Sequence, residues 1–221
     1  MRAKKSLAMV ATFTLLLAGC AVVTPAESAV SDNVPAALKP FYTQSVNWKD
    51  CGEDLKCATI NVPIDYKRPA AGSIKLSLNY LASTGDADLG WLVENPGGPG
   101  GSGIDFVASA SAQVASEAVR KRYHVVGFDP RGVKRSAPIK CLSPKATDEF
   151  LYGTTPGAPG STDEMSASRK AMKKFIDACV KNSGKIFGFV DTVSAARDMD
   201  VIRAVLGESK LNFMGFSYGT F

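Results

Sequence analysis

Hydrophobic and polar positions alternate most cleanly between Ser73 and Tyr80. Ile74, Leu76, Leu78 and Tyr80 fall on one side and Ser73, Lys75, Ser77 and Asn79 on the other, the two-residue period of a strand with one buried face. The preceding CATINVPIDY is a second strand candidate, and Pro69 to Gly72 between them suits a hairpin turn. The domain is therefore expected to open with antiparallel strands. The pattern then changes. Trp91, Leu92 and Val93 form an apolar run without alternation, as in a strand covered on both faces. It leads into a Gly- and Pro-rich stretch from Asn95 to Gly103, and then into an Ala- and Val-rich segment, Ile104 to Arg122, expected to be helical. YHVVGFDPRG supplies another buried strand that ends in a turn. Strand, glycine loop, helix and strand make a βαβ unit, which implies parallel pairing.

Residues 137–160 carry Pro138, Pro144, Pro156 and Pro159 and read as loop. TDEMSASRKAMKKFIDACVKN has helical period, with Met165, Met172, Phe175, Ile176, Cys179 and Val180 near one face. That face is expected to join the core, with Thr162 as N-cap and Gly184 as the stop. TVSAARDMDVIRAVLG is a further helix, with Ala195, Met199, Ile202 and Leu206 turned inward, Asp198 and Asp200 turned to solvent and Gly207 past its end. KLNFMG is a last strand. The fold class is α/β, a mostly parallel sheet with antiparallel N-terminal strands and flanking helices.

The first residues have a different logic. MRAKK is a short cationic stretch and SLAMVATFTLLL an apolar one, too short to span a bilayer comfortably. Leu17-Ala18-Gly19-Cys20 follows directly and resembles the bacterial lipobox, in which the peptide is cut before the cysteine and the cysteine is lipidated. Residues 1–19 are then a lipoprotein signal peptide, and Cys20 is a lipid anchor on the outer face of the plasma membrane. The alternative is an ordinary secretory signal. Residues 20–40, small, polar and Pro-containing, are expected to be a tether, and residues 41–221 the domain. The formal net charge of +5 includes Arg2, Lys4 and Lys5, and falls to +2 without them. Neither that balance nor any basic patch points to nucleic acid. The composition of the whole chain, 45% hydrophobic and 21% charged, is ordinary for a globular protein.

Export changes the reading of the cysteines. Cys51, Cys57, Cys141 and Cys179 are an even set in an oxidising compartment, which favours two disulfides. Three pairings can be drawn; nearness along the chain favours Cys51 with Cys57 and Cys141 with Cys179. A zinc site has the wrong spacings and only one histidine to draw on, and free buried thiols are the remaining alternative.

Gly215-Phe216-Ser217-Tyr218-Gly219 is G-x-S-x-G, placed where a strand ends and a helix could follow. A serine hydroxyl is a poor nucleophile until a base takes its proton and donors hold the oxyanion. The elbow solves the geometric part: it presents Ser217 on a strained turn above the sheet, with Gly215 and Gly219 avoiding collisions. Asn95-Pro96-Gly97-Gly98-Pro99-Gly100-Gly101 follows a buried strand upstream, where a second oxyanion donor belongs. The N–H of Gly97 or Gly98, paired with that of Tyr218, would form the hole, each donor contributing about 2.7–4 kcal/mol in the transition state. The loop lacks the Lys-Ser/Thr that a P-loop carries at the helix start.

ENPGGPGGSG, VVGFDPRGVKRS, AARDMDVIRAVLG and LNFMGFSYGTF occur in the order and spacing of secreted actinobacterial α/β-hydrolases, and residues 40–221 resemble that family. These hydrolases are similar to tripeptidyl aminopeptidases and relatives of proline iminopeptidase, with some members named carboxylesterases. The resemblance implies the N-terminal part of an α/β-hydrolase fold, a Ser-Asp-His triad, no cofactor and release of short peptides from a free N-terminus. It also implies a cap, which with the triad Asp and His is expected beyond Phe221. The chain then reads as an incomplete fragment with negligible turnover. Lys134 stands where the family commonly has glycine. His124, the only histidine, opens a core strand and reads as structural; Asp129, in DPRG, reads as turn-forming. The rivals are an esterase or lipase acting on esters rather than peptides, and a surface lipoprotein without catalysis.

Overall fold

The computed structural model describes residues 34–52 and 54–221. Residues 1–19, expected to be a signal peptide, Cys20 and the first part of the expected tether lie outside the described residues. From Val34 onward the chain packs. A 3₁₀ turn, Ala36–Leu38, runs into α1, Lys39–Tyr42, and Val34, Leu38, Phe41 and Tyr42 all join the main core.

Six strands form one sheet: β1 (Lys49–Asp50), β2 (Leu55–Pro63), β3 (Ser73–Leu81), β4 (Trp91–Asn95), β5 (His124–Phe128) and β6 (Asn212–Gly215). Their order is β1-β2-β3-β5-β4-β6. β1, β2, β3 and β5 pair antiparallel, whereas β4 pairs parallel with both β5 and β6. The antiparallel opening and the parallel βαβ unit are thus both present. The alternation in β3 places Ile74, Leu76 and Leu78 in the core, and the unalternating run in β4 buries both Leu92 and Val93.

The helices depart further from expectation. Ile104 to Arg122 is not one helix but three: α2 (Gly103–Ser109), α3 (Ser111–Val114) and α4 (Glu117–Arg122). A serine marks the second break. The Ser109 hydroxyl donates to the Asp105 carbonyl, and Ser116 takes extended backbone so that its hydroxyl accepts from the Val119 N–H as the cap of α4. The expected loop 137–160 contains α5 (Pro144–Tyr152), capped by Ser143 with proline at its first position. The long helix α6 (Thr162–Ser183) is capped by Ser161 rather than Thr162, whereas Gly184 stops it with φ 62°. The stripe expected to join the core does not: Cys179 is buried, but Met165, Met172, Ile176 and Val180 are exposed.

A 3₁₀ turn, Gly184–Phe189, leads to α7 (Thr192–Val205), capped by Asp191. Val201, Ile202 and Ala204 of α7 pack under the sheet beside Val62, Leu76, Val93 and Phe128. Asp198 is not turned to solvent but fully buried, because Arg131 grips it with two nitrogens at 2.6 and 2.7 Å and the Tyr66 hydroxyl donates at 2.7 Å. Asp200 is half-exposed, accepting from Tyr42 and pairing with Arg203. Both disulfides take the favoured pairing, Cys51 with Cys57 and Cys141 with Cys179. That commits all four thiols and removes them as zinc ligands.

Candidate active site

β6 delivers the chain to the elbow. Phe216 is extended (φ −123°, ψ 141°), and Ser217 then adopts φ 51°, a left-handed conformation that L-residues other than glycine rarely hold. A 3₁₀ turn, Ser217–Thr220, follows at once. Close packing explains the flanking glycines. A Cβ on Gly215 would strike the Gly219 carbonyl, and one on Gly219 would strike the Asn95 carbonyl. The turn is folded against the end of β4 with no room for a side chain at either position.

Asn95 joins the elbow to the glycine loop. Its backbone carbonyl accepts from the Phe216 N–H at 3.0 Å, and its side-chain oxygen accepts from the Gly97 N–H at 2.9 Å. Gly97 has φ 85°, and its carbonyl accepts from the Gly101 N–H at 2.9 Å to close the turn. A Cβ on Gly97 would lie 2.9 Å from the Tyr218 nitrogen and 2.8 Å from that of Gly219, so the loop backbone rests directly on the elbow. Of the two loop donors considered, Gly97 already spends its N–H on Asn95. The Gly98 and Tyr218 N–H groups make no hydrogen bond among the described residues.

Beside them lies a cleft of about 270 Å³, lined by Asn95, Gly97, Gly132, Asp191, Thr192 and Tyr218 among others. The Asp191 carboxylate is held below the usual range by the N–H and hydroxyl of Ser194, which occupy its oxygens as it caps α7. Tyr218 Oη meets Thr192 Oγ1 at 2.5 Å. A roomier groove of about 400 Å³, lined by Asn47, Thr59, Ser77 and Arg135, lies away from the glycine loop; Ser217 and Gly98 are among the lining residues of neither cavity.

One wall of the cleft is the turn after β5, and buried ions fix it. Arg131 donates to the carbonyls of Pro63, Ile64 and Phe189 as well as to Asp198, tying that turn to β2 and to the segment before α7. Asp129 is buried; it accepts from the Ser102 hydroxyl and from the N–H and guanidinium of Arg135, consistent with a turn-forming role. Lys134 has φ 35°, which is the physical reason a glycine suits that position, and its ammonium pairs with Asp105. Asn95 and Arg131 stand within ENPGGPGGSG and DPRG, motifs that do not by themselves give either residue a role. The Asx-type position of Asn95, two residues before a glycine, was the signal available.

His124 is remote from this site. It pairs with Trp91 at the start of β4, while Gly215 pairs with Asn95 four residues further along, a strand distance of about 13 Å. Its Nδ1 accepts from the Ser83 N–H, its ring packs on Trp91, and burial lowers its pKa. No side chain among the described residues hydrogen-bonds the Ser217 hydroxyl.

Known proteins give this geometry its context. A tripeptidyl aminopeptidase of Streptomyces coelicolor is 41% identical over 80% of the chain and 34% of its own length. The serine protease Hip1 of Mycobacterium tuberculosis is 36% identical over 96% of the chain and 41% of its own length. A carboxylesterase B of the same species is 31% identical over 87% and 39% respectively. The chain thus spans between about a third and two fifths of these relatives. Residues 90–221, from the start of β4 through the elbow, match the alpha/beta hydrolase fold, and the chain belongs to that family.

Proposed function

We propose that the chain carries the nucleophile and oxyanion hole of an exported serine hydrolase that releases short peptides from a free N-terminus. Ser217 is the nucleophile, and the Gly98 and Tyr218 N–H groups receive the carbonyl oxygen as it gains charge. Gly97 is a positioning residue, pinned by Asn95 so that Gly98 faces the elbow. The observation that carries this reading is the contact between loop and elbow: Gly97 lies so close to Tyr218 that a methyl group between them would sit 2.9 Å from its nitrogen. An unpaired Tyr218 N–H next to a strained serine, with a second unpaired N–H at Gly98 in the adjoining loop, supports acyl transfer.

Acylation would proceed by attack of Ser217 Oγ on the scissile carbonyl, with its proton passing to a base and later to the leaving amine. His124 cannot be that base, since it lies at the other end of the strands. The 221-residue chain by itself is therefore proposed to have negligible turnover. The reaction needs no cofactor or nucleic acid. Lipidation at Cys20 would hold the domain at the outer face of the plasma membrane, where peptide substrates are accessible.

A chimera tests the assignment. Residues 1–221 would be joined to the remaining, C-terminal part of the Streptomyces coelicolor relative and assayed on a tripeptide anilide with a free N-terminus, on its N-blocked form and on a simple ester. Cleavage of the free-amine peptide by the chimera, abolished by Ser217→Ala and absent from the chain alone, is the expected result. Preference for the ester would favour the carboxylesterase reading suggested by the relative of that name. Robust turnover by the unjoined chain would overturn the proposed division of labour.

A further inference from the structure

α5 and α6 leave the body as a two-helix arm. The excursion departs after Ile139 and rejoins at Val190. Its base is fastened by the Cys141–Cys179 disulfide, by Ser183, which bonds the Lys140 N–H and carbonyl, and by Asn182, which donates to the Cys141 carbonyl. Phe150 stacks on Phe175, with ring centres 4.7 Å apart, and holds the two helices together. Beyond these contacts α6 stands clear. Met165, Met172, Ile176 and Val180 are between 46% and 53% exposed, and their spacing of seven, four and four residues places them in a stripe on one face of the helix, with Arg169 between Met165 and Met172.

The charges around that stripe are mostly basic. Arg169 and Lys170 form no ion pair among the described residues, and neither does Lys174. The acidic residues of α6 are engaged elsewhere: Asp163 and Glu164 lie in its first turn, where the helix dipole favours them, and Asp177 pairs with Lys173. A long helix with an apolar stripe, a basic polar side and low mean hydropathy is built for a lipid–water interface.

We propose that the arm docks by this stripe onto an anionic lipid surface. Two observations select a bilayer. Arg169 within the stripe, and Lys170 and Lys174 on the polar side of the helix, complement anionic headgroups. The second is reach, and it rests on the reading that Cys20 is lipidated: between Cys20 and Val34 the chain spans at most about 50 Å, at about 3.6 Å per residue. Val34 packs on the same core cluster as Ile186 and Phe189, which follow α6 at the base of the arm. A lipid on Cys20 therefore keeps the arm close to a membrane, and docking fixes which side of the domain faces it.

The test places a reporter on the stripe. Ile176→Trp in the full chain would be bound to vesicles of acyl-brominated phosphatidylglycerol, and separately of acyl-brominated phosphatidylcholine. Trp48 and Trp91, in the aromatic cluster with Tyr80, set the background in the unsubstituted chain. Insertion of the stripe about 5–10 Å into the interface predicts loss of about half of the introduced indole's emission. The loss should be weaker with phosphatidylcholine, be removed by Met172→Asp and be reduced by Lys170→Glu. Flotation with the vesicles, compared with Cys20→Ser, scores the anchor independently. A chain that floats while the indole stays unquenched leaves the anchor reading standing and overturns the arm proposal. An unquenched indole whose emission shifts to the blue as protein concentration rises assigns the stripe to a second copy of the chain and also overturns it.

Discussion

Single residues decide whether the elbow and the loop fit. Gly97→Ala adds a methyl group 2.8–2.9 Å from two elbow nitrogens at a backbone φ of 85°. It should cost on the order of 2–3 kcal/mol and displace the Gly98 N–H; urea unfolding would measure the first and amide shifts the second. Glu94, one residue before Asn95, is fully buried. The Ser111 hydroxyl donates to one of its oxygens at 3.3 Å, while the other has no partner. Burial raises its pKa from 4.5 to about 7. The folded state therefore binds the proton more tightly than the unfolded chain. The resulting stability is complete below pH 4.5 and is lost as pH rises to about 7, by about 3 kcal/mol. Glu94→Gln should flatten unfolding free energy across that window; an unchanged slope would show that Glu94 is not the group responsible. The serine was legible as a motif, and so were the glycines. Which glycine N–H remains free was not, because it depends on where the Asn95 side chain turns.

Among elements, strands were easier to read than helices. The alternation of β3 and the unalternating run of β4 each reflect how many faces are covered, and a sequence records that directly. The helix break at Ser116 depends on a hydroxyl that caps the next helix, and a pattern rich in alanine and valine hides it. The stripe of α6 has the period of a core helix, but period alone does not say what covers it. Asp198 was misplaced for a related reason: a carboxylate on a helix reads as solvated unless its partner is known, and Arg131 is 67 residues away. That pair gives a clear expectation. Removing one partner, as in Arg131→Met, should cost about 3–5 kcal/mol, whereas replacing both with apolar residues should cost distinctly less than the sum. A double-mutant cycle by urea unfolding checks this. At the arm, opening the Cys141–Cys179 bridge with paired serines should lower stability by about 4 kcal/mol, the entropy of a loop with 38 residues of sequence separation. A much smaller loss would mean that the arm unfolds independently of the body.

For the whole molecule, the sheet pairs β6 on one side, with β4, among the described residues. An open edge next to the nucleophile is a template for further pairing, so the isolated chain is expected to self-associate as concentration rises, as light scattering would detect. The fold as a whole serves one juxtaposition: parallel β4 and β6 end side by side, and the turns leaving them meet over Asn95. The most direct test is a crystal structure of the active chimera after reaction with a peptide phosphonate. The account predicts phosphorus bonded to Ser217 Oγ and a phosphoryl oxygen about 2.7–3.1 Å from both the Gly98 and Tyr218 nitrogens. A phosphoryl oxygen that accepts from neither, or an adduct on another residue, would contradict it.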